Sequence, residues 1–281
     1  MNEEQRTPNP RTFLMSLEIP ALVSINIGNT NTTAVTWSSA GHAGALEKWP
    51  SDFRSLATVA KRASEATEVL IASVVKQCTS KLTNDLLALG QQARIFRGDI
   101  PAPLEIAAQP AERVGDDRVA ACLGALQLDA ASPWVVVDAG TAVTVNAVRP
   151  AEGGRLPRFE GGLIAPGAAL CLRSLGQGTA QLPGLSDGAF EKSGFDFIGR
   201  NTEQAMLFGV LALQASAVTA MIDGQRALLG HAAKVALTGG GAGFLIEAIR
   251  KACGMKYELV HQPNLVHLGL FASWKHARGI R

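Results

Sequence analysis

The chain has 281 residues, 47% of them apolar and 18% charged, with a formal net charge of +2. That length suits one large or two compact domains with a sizeable core, and the composition excludes both a disordered chain and a polyanion-coating one. No nucleic-acid partner is expected, because Lys and Arg are scattered rather than clustered.

Residues 1–19 are polar and proline-broken and read as a tail rather than a cleavable signal. Residues 22–27 then form an apolar strand, and the Thr- and Val-rich stretch 32–37 its hairpin partner. A helix is expected over 53–67, a buried strand over 68–75, a helix near 81–90 and a short strand at 94–97. Pro101, Pro103 and Pro110 mark an irregular segment before a helix running from Asp116 to Leu128.

A second run of strands covers 134–148. The apolar stretch 205–222 approaches the length of a membrane span, but Gln214, Ser216 and Thr219 interrupt it, so a buried or subunit-interface helix is expected and no membrane partner. A strand at 235–238 leads into the turn GGGAG and a helix over 244–252. Strands alternating with helices define an α/β chain. The four cysteines, Cys78, Cys122, Cys171 and Cys253, lack C-x-x-C spacing, which indicates reduced thiols in a cytoplasmic protein without structural zinc. The five histidines have no metal-ligand spacing and are expected at the surface or in satisfied local contacts.

The stretch SINIGNTNTT at 24–33 has an echo in VVVDAGTAVTVN at 135–146. Asn26 aligns with Asp138, Gly28 with Gly140 and Asn29 with Thr141, an offset of 138 − 26 = 112 residues. Two such hairpins at a domain-sized offset indicate a duplicated unit, with N-terminal and C-terminal lobes at 20–130 and 131–281. Glycine lets backbone N–H groups approach a ligand closely, while Thr and Asn add side-chain donors, so both turns suit phosphate. A carboxylate at the strand end can hold hydrated Mg²⁺ or a monovalent cation. The plainer alternative is a pair of β-hairpins whose Asn and Gly only satisfy turn geometry. Between the turns lies RVGDDR at 113–118, where Asp116 and Asp117 either complement the helix dipole or supply a base beside the anion clamp Arg118.

These motifs, in this order, resemble type III pantothenate kinases. NIGNT at 26–30 stands for the family's D-x-G-N-T, GDDR at 115–118 for G-A-D-R, and DAGTAVT at 138–144 for D-F-G-T-A-T-T. ASVV at 72–75, GGLIAPG at 161–167, TAQLP at 179–183, GRNT at 199–202, LTGG at 237–240 and LVHLGL at 265–270 are further similar pieces. The resemblance implies two ribonuclease-H-like lobes of the actin-like ATPase superfamily with a cleft between them. It also implies a homodimer and ATP-dependent phosphorylation of pantothenate, the first step toward coenzyme A.

Carried over by position, Asp117 is the implied base. Asn26, Ile27, Gly28, Asn29, Thr30, Asn31, Thr32, Thr33 and Thr141 bind ATP, which enters with Mg²⁺. Gly115, Asp116, Asp117 and Arg118 bind pantothenate, with Thr202 reaching it across the dimer, and Asp138 holds K⁺ or NH₄⁺. Several positions depart from the pattern. Asn26 and Asn146 replace aspartates, Asp116 adds a charge beside the base that would raise its pKa, and Ala107 or Ala108 falls where a tyrosine is common. The alternative implied by Asn26 is a ligand-binding or regulatory relative similar to the Bvg accessory factors.

Overall fold

The computed structural model describes residues 20–280 except 187 and 255, so the tail expected over 1–19 lies outside the described residues. Five strands build the first sheet: β1 (Leu22–Ile27), β2 (Asn31–Trp37), β3 (Glu47–Pro50), β4 (Val69–Ser73) and β5 (Ala93–Ile95), in the order β3-β2-β1-β4-β5. The helices α1 (Phe53–Ala63) and α2 (Lys76–Ala88) cover one face of it. α2 begins well before the expected helix, because Cys78, Leu82 and Leu86 recur every four residues and bury one stripe on the sheet. The Asp52 side chain caps α1 by accepting from the Ser55 N–H at 2.7 Å.

A short strand β6 (Glu105–Ile106) and the helix α3 (Asp116–Leu128) precede the second lobe. That lobe holds β7 (Trp134–Ala139), β8 (Ala142–Arg149), β9 (Arg158–Pro166), α4 (Ala168–Gly178), α5 (Ala189–Ser193), α6 (Thr202–Leu229), β10 (Lys234–Thr238), α7 (Ala242–Cys253) and β11 (Leu259–His261). The last helix is α8 (Leu265–His276). The second sheet runs β11-β10-β7-β8-β9-β6. Two segments cross the 130/131 line: β6 pairs with β9, and α8 returns to pack on β1, β2 and β4.

The layers follow from strand alternation. Val23, Ile25 and Ile27 point to α1 and α2, while Leu22, Ser24 and Asn26 point to the other face. In β7, Val135 and Val137 point to the side of α6 and α7, and Trp134, Val136 and Asp138 face the central layer. That layer is α3 packed on α8. The two helices cross so closely that a β-carbon on Gly124 would lie 1.9 Å from Leu265 O, and one on Gly269 would lie 1.8 Å from Ala120 O. Only glycine permits this approach, which clamps the helix bearing Asp117 against the helix that supports the first sheet. The long apolar α6 is the buried helix expected: Val210, Leu211, Ala215, Val218 and Ile222 pack in the second lobe's core, with Leu213 and Leu228 exposed.

Candidate active site

The two similar stretches form the same hairpin in each lobe. Asn26 pairs with Thr33 across β1 and β2, and Asp138 pairs with Thr144 across β7 and β8. The second turn is one residue shorter, Gly140 and Thr141 standing where the first has Gly28, Asn29 and Thr30. The turns meet: Thr30 Oγ1 and Thr141 Oγ1 lie 2.8 Å apart, joining the lobes at one point. The Gly28 N–H closes its turn on Asn31 O at 3.0 Å.

Around this junction lies a cleft that is partly open to solvent. Thr30, Asn31, Gly140 and Thr141 line it, together with the glycine turn Gly240–Gly241 and the start of α4. Backbone bonds lock these pieces together. The Gly167 N–H donates to Thr141 O at 3.0 Å, and the Gly241 N–H donates to Ala139 O at 2.8 Å. A β-carbon on Gly167 would lie 2.2 Å from Gly140 O, so only glycine lets α4 start against that turn.

Both α4 and α7 begin at a glycine with no side-chain cap; the Ala242 N–H turns back to Gly239 O at 3.2 Å, and the N–H groups of Gly243 and Phe244 and of the first turn of α4 are left for a ligand. The far end of the cleft is apolar: Phe190 and Phe244 stack there with ring centroids 5.0 Å apart, beside Leu245. A cleft with donors at one end and aromatic rings at the other suits a nucleotide.

Not every threonine or asparagine of the first turn serves the cleft. The Ile27 side chain is in the core, so it can offer only backbone. Thr32 points to the opposite face of the sheet and bonds Ser51 Oγ at 2.9 Å. Thr33 faces inward, but its hydroxyl lies 2.9 Å from His267 Nε2, whose Nδ1 lies 2.9 Å from Ser24 Oγ. Burial pushes the His267 pKa down to about 3, which keeps the ring neutral, one nitrogen donating and the other accepting. His267 is therefore a fully buried brace between elements distant in sequence, not the surface or local group that its spacing predicts. Asn26 Oδ1 is buried without a hydrogen-bond partner.

Beyond the turns lie the two acidic groups. Asp138 sits at the inner end of β7 with its Oδ1 so near Gly239 that a β-carbon there would come within 2.3 Å. Its pKa is pushed up to about 7, first by burial and then by the charge of Asp117. Asp117 Oδ1 accepts from the Arg118 N–H at 2.8 Å, and burial raises its pKa as well. Gly115 leaves room for this carboxylate, since a β-carbon would lie 2.6 Å from Asp117 Oδ1 and displace it.

Asp116 and Asp117 repel each other: the charge of Asp117 adds to the rise in the Asp116 pKa, although burial is the first cause at both and Arg97 holds the Asp116 carboxylate at 3.1 Å. Arg97 also donates to Val114 O at 2.5 Å and Ala111 O at 2.6 Å, fixing the start of α3. Arg118 donates from Nε to Asn146 Oδ1 at 2.7 Å and lies 5.5 Å from the Phe159 ring centroid. An aspartate at 146 would neutralise this guanidinium, whereas Asn146 orients it and leaves its charge. Gly162 makes room for Asn146, its β-carbon position being 2.7 Å from Asn146 Oδ1. Thr202 is the exposed first residue of α6, and among the described residues no hydrogen bond or ion pair joins it to the other expected site residues.

Asp138 fits a hard monovalent cation, since it is a carboxylate raised by burial and by a like charge. Among the described residues no cluster of three acidic, His or Cys groups could hold a metal by itself, so Mg²⁺ fits only as part of its ATP complex. The sequence missed Lys48, Gln214 and the Phe190/Phe244 pair in the cleft lining. Lys48 lies on a short edge strand, Gln214 on the long α6, and the two phenylalanines on α5 and α7, where no pattern marks them for a ligand.

The two sheets, twin turns and central helices define the two-lobed fold of the actin-like ATPase and sugar-kinase superfamily. A conserved Baf family protein from Campylobacter jejuni superposes over 92% of this chain and 100% of its own, with a TM-score of 0.57 at 18% identity. A ROK family glucokinase from Streptomyces griseus, solved with glucose and AMPPNP, covers 92% and 99%, with a TM-score of 0.55 at 13% identity. At those identities the likeness concerns the fold alone. The profile of the type III pantothenate kinase family matches residues 22–224, and the chain belongs to that family.

A type III pantothenate kinase of Rhodopirellula baltica is 38% identical over 169 residues, 60% of this chain and 56% of the relative. One from Caulobacter vibrioides is 30% identical over 240 residues, 78% of this chain and 85% of the relative. The chain spans little more than half the length of the first curated relatives it matches.

Proposed function

We propose that this protein transfers the γ-phosphoryl group of ATP to the primary hydroxyl of pantothenate, giving ADP and 4'-phosphopantothenate, the first step of coenzyme A synthesis. The observation that carries the reading is the junction of the twin glycine turns at Thr30 and Thr141 on one cleft. In this reading the N–H groups of Asn29–Asn31, Gly140–Thr141 and the α7 start hold the phosphates, and the Phe190/Phe244 end takes the base. Asp117 accepts a hydrogen bond from the pantothenate hydroxyl and receives its proton as the hydroxyl oxygen bonds phosphorus and the ADP oxygen leaves.

Phosphoryl transfer through a loose transition state needs alignment and charge neutralisation more than a strong base, and a half-buried carboxylate beside Arg118 suits that task. Arg118, braced by Asn146, meets the pantothenate carboxylate. Mg²⁺ carried with ATP, and K⁺ or NH₄⁺ beside Asp138, supply charge compensation when bound.

We further propose a cytoplasmic homodimer. An apolar groove between α4 and α6, lined by Pro166, Leu175, Met206 and Leu213, supports this, with Leu170 and Ile164 exposed nearby. Thr202 at the start of α6 would then serve the partner's site.

The test is direct. Purified protein with ATP, Mg²⁺, K⁺ and pantothenate yields ADP and phosphopantothenate in equal amounts. One observation favours a second reading, a ligand-binding regulator: the neutral Asn26, with its unpartnered oxygen, at the strand end of the first turn. Binding of both ligands by calorimetry without product would select that reading.

A further inference from the structure

The first sheet carries a row that the motifs do not predict. Asn26 pairs with Thr33, and Thr33 pairs with Lys48 on the edge strand β3. Residues in register across neighbouring strands share a face, so amide, hydroxyl and ammonium lie on the inner face of the sheet, Lys48 at its exposed edge. Lys48 lines the cleft beside Thr30 and Asn31. Its Nζ reaches across to the other lobe, 3.6 Å from where a β-carbon on Gly240 would stand. Among the described residues Lys48 has no ion-pair or hydrogen-bond partner. An ammonium held over a glycine turn at an uncapped helix start is placed where anionic oxygens would approach the α7 N–H groups.

The charge pattern gives this position its meaning. Only Lys48, Arg173 and Glu191 are charged among the residues lining the cleft. With an aspartate at 26 the row Asn26–Thr33–Lys48 would carry both signs; with Asn26 it carries one uncompensated positive charge. A triphosphate enters with several negative charges, and the first turn has no carboxylate through which a cation could offset them. We infer that Lys48 is a nucleotide-binding residue, its ammonium clamping the β- and γ-phosphates against the Gly239–Gly241 turn and supplying charge compensation that Asn26 cannot recruit.

This rests on the nucleotide reading of the cleft and not on the identity of the phosphoryl acceptor. Lys48 is exposed on a short edge strand, so its replacement should leave folding intact, which thermal unfolding checks. The experiment is calorimetric titration of wild type, Lys48→Met and Lys48→Arg with ATP and with AMP, each with and without Mg²⁺. Lys48→Met should bind ATP about tenfold or more weakly, in keeping with loss of a charge-assisted contact, with the larger loss in the absence of Mg²⁺ and AMP binding unchanged. Lys48→Arg should retain ATP affinity within about threefold, since the charge is kept.

Equal ATP affinity in Lys48→Met and wild type would overturn the inference. So would equal losses for ATP and AMP, or an arginine variant as weak as the methionine one. If wild type shows this phosphate-dependent binding yet forms no phosphopantothenate, the kinase reading fails and Lys48 keeps its role. If wild type binds no ATP, both fall.

Discussion

Asp138 offers a quantitative test of how the cleft is charged. Its carboxyl is raised from an ordinary value of 3.8 to about 7, by burial first and by Asp117 second. A raised acid destabilises the fold when ionised: the penalty is absent below the unfolded value, grows between about pH 4 and 7, and is complete above 7. A pKa rise of that size corresponds to about 4 kcal/mol, an upper bound because solvent at the cleft screens the group.

Asp138→Asn removes the charge and keeps the shape. The expected outcome is a variant more stable than wild type at pH 8 in K⁺-free buffer, by about 1 to 3 kcal/mol, with the difference vanishing by pH 4. His267, neutral in the fold and charged when unfolded below 6.5, gives the opposite slope at lower pH in both proteins and cancels in the comparison. Adding K⁺ should stabilise wild type at pH 8 and leave the variant unchanged. Urea unfolding monitored by tryptophan fluorescence from pH 4 to 8.5 provides the measurement. Parallel stability profiles with no K⁺ effect would refute the placement of a cation beside Asp138.

Further outcomes follow from the other site residues. Asn26→Asp restores a carboxylate at the first turn and should strengthen the Mg²⁺ dependence of ATP binding in calorimetry, with a higher turnover at low Mg²⁺; an unchanged Mg²⁺ dependence counts against the metal account. Asp117→Asn should lower turnover by about 10²-fold or more while ATP affinity stays within about twofold, because the residue meets the alcohol and not the nucleotide. His267→Phe breaks the bonds to Ser24 and Thr33, leaving Ser24 with Val35 O and Trp37 Nε1 but Thr33 without its partner, and should cost about 1 to 3 kcal/mol in urea unfolding. It should also remove the acid-side slope between pH 3 and 6.5.

The architecture was legible where local chemistry and tertiary role agree. The twin turns could be read because apolar strand, small polar turn and second strand each follow from nearby residues, and alternation alone puts Asn26 and Asp138 on the inner faces. The destinations of Thr32 and Thr33 could not be read. Sequence pattern directs their hydroxyls to phosphate, yet they bond Ser51 and His267, and the latter partner lies 234 positions away.

The same holds for Asp116, whose partner Arg97 comes from the strand edge before the irregular segment. Lys48 was silent because a four-residue edge strand carries no periodicity to mark it. The passage of β6 and α8 across the lobe boundary was likewise hidden, since pairing with a distant strand leaves no trace in a two-residue segment. Gly167 and Gly269 were visible only as parts of motifs; the reason each must be glycine lies in a backbone oxygen of another element.

The most direct measurement is a crystal structure with a non-hydrolysable ATP analogue and pantothenate bound together. The account requires the phosphates between the Gly28–Thr30 and Gly140–Thr141 turns, with the pantothenate hydroxyl within hydrogen-bond reach of Asp117 and in line with the γ-phosphorus. A nucleotide bound elsewhere, or a hydroxyl directed away from Asp117 with both ligands in place, would contradict it.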